Sequence, residues 1–253
     1  MSFDEIIDRR GTHCMKWDMM EQLYGVPAEG GIAMWVADME FRPPARVTAA
    51  VQAMVDHGIY GYFGDETDYR AAIAWWMRER HGWEIDPGWI FSTHGLVNGT
   101  ALCVDTWTAP GDAVVLFTPV YHAFARVIRA AGREVRELPL AIRDGRYEMD
   151  FDAYGSLMKG NERMAILCSP HNPGGRVWTR KELCALADFC AGHDLIPTPP
   201  CARPSAGGSR RSASRPIPSD CSWPRRPIRP RARPGWTNSC AISTPTGASS
   251  TKG

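Results

Sequence analysis

The sharpest chemical signal in the 253-residue sequence is the run SPHNPGG at 169–175. Asn172 follows an apolar, strand-like run and precedes Pro173, Gly174 and Gly175, a combination that fixes a tight loop. An amide held there can donate to a ligand oxygen at a sheet edge, or it can close an Asx-type turn. His171 beside it invites a general-base role, but a loop histidine is expected at the surface. In FTPVYHAF, Tyr121 ends a second strand-like run on the same predicted edge, where its ring could stack on a planar ligand or simply pack. In STHGLVNGT, Gly95 stands between a predicted strand and a predicted helix. Free N–H groups at such a helix start attract phosphate, although a glycine there more often serves only a turn. The loop IYGYFGDE offers Tyr60 and Tyr62 as phosphate donors, or is merely a helix connection. The histidines lack metal-ligand spacing and no strand-turn-helix serine elbow is present, so no metal site is expected.

The elements that must position these residues alternate. The runs WIFST, AVVLFTP, EVRELPL and MAILCSP read as buried strands. PPARVTAAVQAMVDHG and DYRAAIAWWMRERHG have helical spacing and end at Gly58 and Gly82. Further helices are predicted in LVNGTALCVDTWT, YHAFARVIRAAG and TRKELCALADFCAGHD. Strands alternating with helices imply an α/β fold with a doubly wound sheet covered on both faces. Residues 1–40, rich in Met and Trp, are expected to form an N-terminal arm or part of a smaller lobe, and 41–196 the α/β domain.

Composition narrows the class. The chain is 44% hydrophobic and 23% charged with net charge +1, as in a soluble globular protein. No apolar run approaches the roughly 20 residues that span a bilayer, and the N-terminus lacks an apolar signal core, so a cytoplasmic location is expected. Eight cysteines without CxxC or His/Cys clustering argue against zinc and a disulfide framework. The averages conceal a split, however. Residues 197–253 contain no Leu, Val, Phe, Met or Tyr and one acid, Asp220. Such a Pro/Arg/Ser-rich tail cannot bury enough apolar surface to offset its ordering entropy and is expected to be disordered.

In this order, FDEIIDRRGTHCMKWD, MWVADMEF, YGYFGDE, FTPVYHAF and SPHNPGG resemble the pyridoxal-phosphate (PLP) enzymes of the class I/II aminotransferase superfamily. Within it they are most similar to cystathionine beta-lyase-type carbon–sulfur lyases. KWD with MWVADMEF is the part that leans to the lyases; SPHNPGG is shared more widely, and an aminotransferase ancestry stays open. The resemblance covers 1–196 and implies an incomplete fold type I large domain. It implies that Gly95, Leu96 and Val97 lie under the cofactor phosphate, Tyr121 stacks on the pyridine ring, and Asn172 bonds the ring's phenolic oxygen. Tyr62 would reach the phosphate of a neighbouring subunit in a homodimer. The implied reaction cleaves an amino-acid thioether to thiol, pyruvate and ammonia.

The resemblance also requires a Schiff-base lysine in an SKTFN-like stretch and an aspartate in an SDEIH-like stretch, and the sequence contains neither. The lysines are Lys16, Lys159, Lys181 and Lys252, none in that context, so the expected catalytic set is empty and the chain is expected to be inactive. Shifting the codons of 197–253 by one base forces apolar residues at set positions, whatever the free bases are. On this basis the tail is expected to be out-of-frame translation, after a deletion in the gene that removed the aspartate and lysine stretches. A different class of function, nucleic-acid binding through Arg210, Arg211, Arg225, Arg226, Arg229, Arg231 and Arg233, is the weaker reading.

Overall fold

A computed structural model describes residues 3–198. The Pro/Arg/Ser-rich segment from 199 onward lies outside the described residues, and with it the expected disorder, the arginines and Lys252. The chain forms two compact units, one up to Asp65 and one from Glu66 on.

In the first unit the short helices α1 (Met15–Asp18) and α2 (Met20–Tyr24) precede α3 (Ala45–His57). The KWD and MWVADMEF stretches are held to each other. Lys16, only 7% exposed, donates from Nζ to the Asp38 carbonyl at 2.9 Å and to Glu40 Oε2 at 3.0 Å. The Trp17 indole N–H donates to Glu40 Oε1 at 3.1 Å, and the Trp35 indole N–H to the Lys16 carbonyl at 2.9 Å. Arg9 closes the knot on Asp38 and Glu40. Hydrogen bonds from Trp17 and Lys16 hold the Glu40 carboxyl below its ordinary range. Helix α3 ends at Gly58 in the left-handed conformation, as its sequence predicts, but buries none of its residues.

The second unit carries the sheet. Its elements are α4 (Thr67–His81), α5 (Leu96–Trp107), β1 (Ala113–Thr118), α6 (His122–Ala130), β2 (Glu134–Pro139), the hairpin β3 (Ala141–Arg143) and β4 (Arg146–Glu148), α7 (Phe151–Tyr154), β5 (Glu162–Ile166), α8 (Arg180–Gly192) and β6 (Ile196–Thr198). Four strands pair in parallel in the order β2-β1-β5-β6. Successive side chains of a strand point to opposite faces, and both faces are covered. Val115, Phe117, Ala165 and Leu167 pack with Tyr154, Trp178, Leu186 and Cys190 on one side. Val114, Leu116, Met164 and Ile166 pack with Val104, Phe124 and Ile128 on the other. This is why β1, and β5 from Met164 on, read as apolar runs. Each fully buried Val, Leu, Ile, Phe or Met among them contributes about 1.5–3 kcal/mol.

Three expectations are corrected. WIFST is not a strand: Pro87–Trp89 form a 3₁₀ turn, residues 90–93 have no regular structure, and Phe91 is 84% exposed. An apolar run becomes a strand only where another strand takes up its backbone N–H and C=O groups, and no partner pairs with it among the described residues. At the other end the sheet continues past Ile196, because Pro197 and Thr198 extend β6 along β5; a proline is tolerated on a strand paired on one side only. Cys14, Cys168 and Cys190 carry free thiols, but Cys184 is disulfide-bonded, which the absence of cysteine clustering did not lead one to expect. No helix among the described residues is long and apolar enough to cross a membrane.

Candidate functional site

The chain leaves β1 to one side to build β2, then returns to the other side of β1 to build β5. The sheet therefore changes direction between β1 and β5, and in open α/β sheets ligands bind beyond the strand ends at such a point. Two of the candidate loops emerge there. The turn Pro119–Val120–Tyr121 follows β1 and opens α6; the loop 167–179 follows β5 and opens α8. The peptide bonds preceding Pro119, Pro170 and Pro173 are cis.

The third candidate reaches the same edge by way of α5. The carbonyl and hydroxyl of Thr108, just past its last turn, accept hydrogen bonds from Arg133 at 2.8 and 2.9 Å. Arg133 immediately precedes β2, so α5 ends where the strands begin. Its 12 residues span about 18 Å, close to the roughly 20 Å depth of a six-residue strand. Packed on the sheet through Val104, α5 is long enough to run from the strand starts to the edge that carries Tyr121 and Asn172.

The start of α5 has the character of an anion cradle. No side chain caps it, and Gly95 holds φ +86° and ψ 161°, a conformation essentially restricted to glycine. A Cβ added there would meet nothing within 4 Å, so the space in front of the turn is open. Tyr121 is half-buried, with its ring edge-on to Phe124 at 5.5 Å, which leaves it fixed beside the sheet edge. Asn172 is exposed. Its backbone N–H is tied to Cys168 Sγ at 3.4 Å, and burial raises the Cys168 thiol above its usual range, with the Asn172 N–H pulling the other way.

His171 does not lie at the surface. It is 2% exposed, donates from Nε2 to the Pro119 carbonyl at 2.7 Å, and meets Trp178 edge-on at 5.4 Å. The loop folds back on itself through His171 N–H to Arg176 carbonyl and Gly175 N–H to His171 carbonyl, both 2.7 Å. A Cβ at Gly174 would stand 2.9 Å from both His171 Cδ2 and Tyr147 Cδ2, so only glycine fits. This residue is the one that sequence reasoning dismissed. The tight Pro/Gly flanks that fixed Asn172 were the signal that its neighbour must turn inward.

The remaining candidates are less engaged. Tyr62 and Tyr60 are 108% and 72% exposed in the first unit. A cleft of about 600 Å³ beside α6, lined by Tyr121, His122, Arg129, Leu140, Ile142 and Tyr147, shares only Tyr121 with the site; the convergence at the switch point, rather than this open cleft, defines it. Among the described lysines, Lys16 is occupied by Asp38 and Glu40 within the first unit. Lys159 precedes β5, at the opposite end of that strand from the loops, and Lys181 lies exposed in the first turn of α8. No group of His, Cys, Asp or Glu among the described residues could hold a metal ion.

Comparison with known proteins agrees with this geometry. Residues 36–198 match the family model for aminotransferase class I and II. Cystathionine beta-lyase PatB of Bacillus subtilis is 40% identical over 196 residues, covering 77% of this chain and 50% of that protein. The structure of cystalysin from Treponema denticola, which contains pyridoxal 5'-phosphate, superposes with a TM-score of 0.73 at 34% identity over 78% of this chain and 50% of that one. The PLP-bound C–S lyase from Staphylococcus hominis gives 0.71 at 31% identity, covering 79% and 50%. The chain spans about half the length of the relatives it matches, and the family match stops at the residue where the described sheet does. The parallel sheet, the converging loops and the family match lead to one conclusion: the chain belongs to the class I and II aminotransferase family.

Proposed function

We propose that the described residues form the first half of a PLP site of the carbon–sulfur lyase type, acting in the complete enzymes on an amino-acid thioether. The observation that supports this is that the Tyr121 turn and the Asn172 loop leave adjacent strands at the switch point, with the uncapped start of α5 on the same sheet unit. The groups present fit the cofactor. Leu96 and Val97 offer backbone N–H groups to a phosphate at the positive end of a helix. Tyr121 offers a flat ring to a pyridine face, and Asn172 offers an exposed amide, held by a rigid loop, to a ring oxygen. When bound, PLP withdraws electrons from the substrate carbon next to the amine; the residues here would hold and orient it. Support for the lyase rather than the aminotransferase branch comes from the relative named a cystathionine beta-lyase and from the Lys16–Glu40 knot, which gives the KWD and MWVADMEF stretches a shared structural purpose.

On the same reading the 253-residue chain does not turn over. Lys16 is engaged by Asp38 and Glu40 in the first unit, and in the second unit Lys159 lies at the opposite end of β5 from the loops and Lys181 is exposed in the first turn of α8; proton transfer by a positioned group is typically worth about 10²–10⁴-fold. Tyr62 would serve a second subunit, and the protein would work in the cytoplasm. The test is a titration of the full chain with PLP and, separately, with unphosphorylated pyridoxal, followed by tryptophan fluorescence. Saturable quenching by PLP, weaker with pyridoxal, is expected, with no cofactor retained on a lysine after borohydride and denaturation. Equal response to both compounds would remove the phosphate cradle from the reading. Thiol and pyruvate released from cystathionine at enzyme-like rates would overturn the inactivity.

A further inference from the structure

We propose that His171 is a positioning residue that latches the Asn172 loop to the Tyr121 turn and so sets the spacing between the amide and the ring. This rests on the site reading above. Its Nε2 stands 2.7 Å from the Pro119 carbonyl. A carbonyl only accepts, so Nε2 carries the hydrogen. Nδ1 is buried and has no hydrogen-bond partner among the described residues, where an N–H would be an unsatisfied donor. The imidazole is therefore held in the Nε2–H tautomer. Asn172 is the next residue along the chain, and Tyr121 lies two residues beyond Pro119. This hydrogen bond joins the two loops that leave the switch point, beside the apolar packing that Cys168 shares with Val120 and Tyr121.

The rest of the loop makes the latch stiff. Trp178 packs edge-on against the imidazole and donates from Nε1 to the Cys168 carbonyl at 2.8 Å. Arg176 lies over the Trp178 ring at 4.3 Å and pairs with Glu182 at 2.6 Å. Cys168 Sγ takes the Asn172 N–H. With the loop backbone closed by its own hydrogen bonds, the His171–Pro119 contact ties the loop as a unit to the turn after β1.

The test compares His171→Gln, whose amide nitrogen can occupy the Nε2 position and still donate, with His171→Phe, which keeps a flat ring but cannot donate. Three readouts on the full chain are used: equilibrium binding of PLP by fluorescence, amide hydrogen exchange at His171 and Gly175, and imidazole ¹⁵N shifts of the unsubstituted protein. A hydrogen bond of ordinary net strength corresponds to about a tenfold change. His171→Phe is expected to weaken PLP binding and to lower amide protection at Gly175 by about that factor, with His171→Gln restoring both to within about twofold. The ¹⁵N shifts should report a hydrogen on Nε2. Equal exchange in the Phe and Gln variants, or a hydrogen on Nδ1 in the unsubstituted protein, overturns the latch. If the unsubstituted chain fails to bind PLP, the site reading falls, and the exchange and NMR results still decide the latch.

Discussion

Gly95→Ala tests the phosphate cradle most directly. At φ +86° and ψ 161° the residue occupies a backbone region closed to L side chains, yet an added Cβ would touch nothing within 4 Å. The substitution therefore introduces strain without a clash, about 1–3 kcal/mol for a residue in this region. That strain has two outlets. If the turn relaxes to negative φ, the first N–H groups of α5 swing away from the open space and phosphate binding weakens; 1–3 kcal/mol corresponds to about 5- to 150-fold. If the turn holds, the same energy appears as lost stability. Gly192→Ala is the matched control, because its Cβ is also in open space while its φ is an ordinary helical one; there alanine is expected to be neutral or stabilising by up to about 1 kcal/mol. The assays are PLP titration and urea unfolding on the same samples. For Gly95→Ala the losses in binding and stability should together amount to the strain. If both stay at the values of the unsubstituted chain, the argument from glycine to cradle is refuted.

Two further outcomes are expected. Glu162 is 2% exposed; burial opposes its ionisation, but the Lys159 and Gly160 N–H groups and Arg136 outweigh that and hold its carboxyl below the ordinary range. A carboxyl depressed in the folded state stabilises above its unfolded pKa, near 4.3, and loses that contribution as pH falls through the folded value. Glu162→Gln should thus cost about 3–5 kcal/mol at pH 7 and flatten the acid limb of stability against pH in urea unfolding; an unchanged acid limb would show that the carboxylate is not the group involved. The coding DNA should carry, near codon 197, a shift that restores apolar residues when read in the displaced frame, and codons incompatible with that frame would exclude it.

Much of this molecule was legible locally. Strands β1 and β5 announced themselves because strands buried on both faces are continuous apolar runs, and α3 and α4 because a 3.6-residue period stops at Gly58 and Gly82. Asn172 and Tyr121 could be placed at strand ends for the same reason, and the motifs named the family. Other features were invisible in any short window. WIFST has the apolar content of a strand but no pairing partner among the described residues, and pairing is a long-range event. The burial of Lys16 is of the same kind, for it depends on Asp38 and Glu40 more than twenty residues away, as does that of His171, whose partner Pro119 lies 52 residues earlier.

The sequence by itself determined the chemical types available, an uncapped helix start after a glycine, a ring and an amide, because composition and local backbone preference are properties of neighbouring residues. Only the tertiary structure decided that the ring and the amide leave neighbouring strand ends. That depends on β5 choosing the far side of β1 and on α5 packing onto the same sheet through Val104. Those choices are set by how side chains from distant segments fill a common core, which no local pattern encodes.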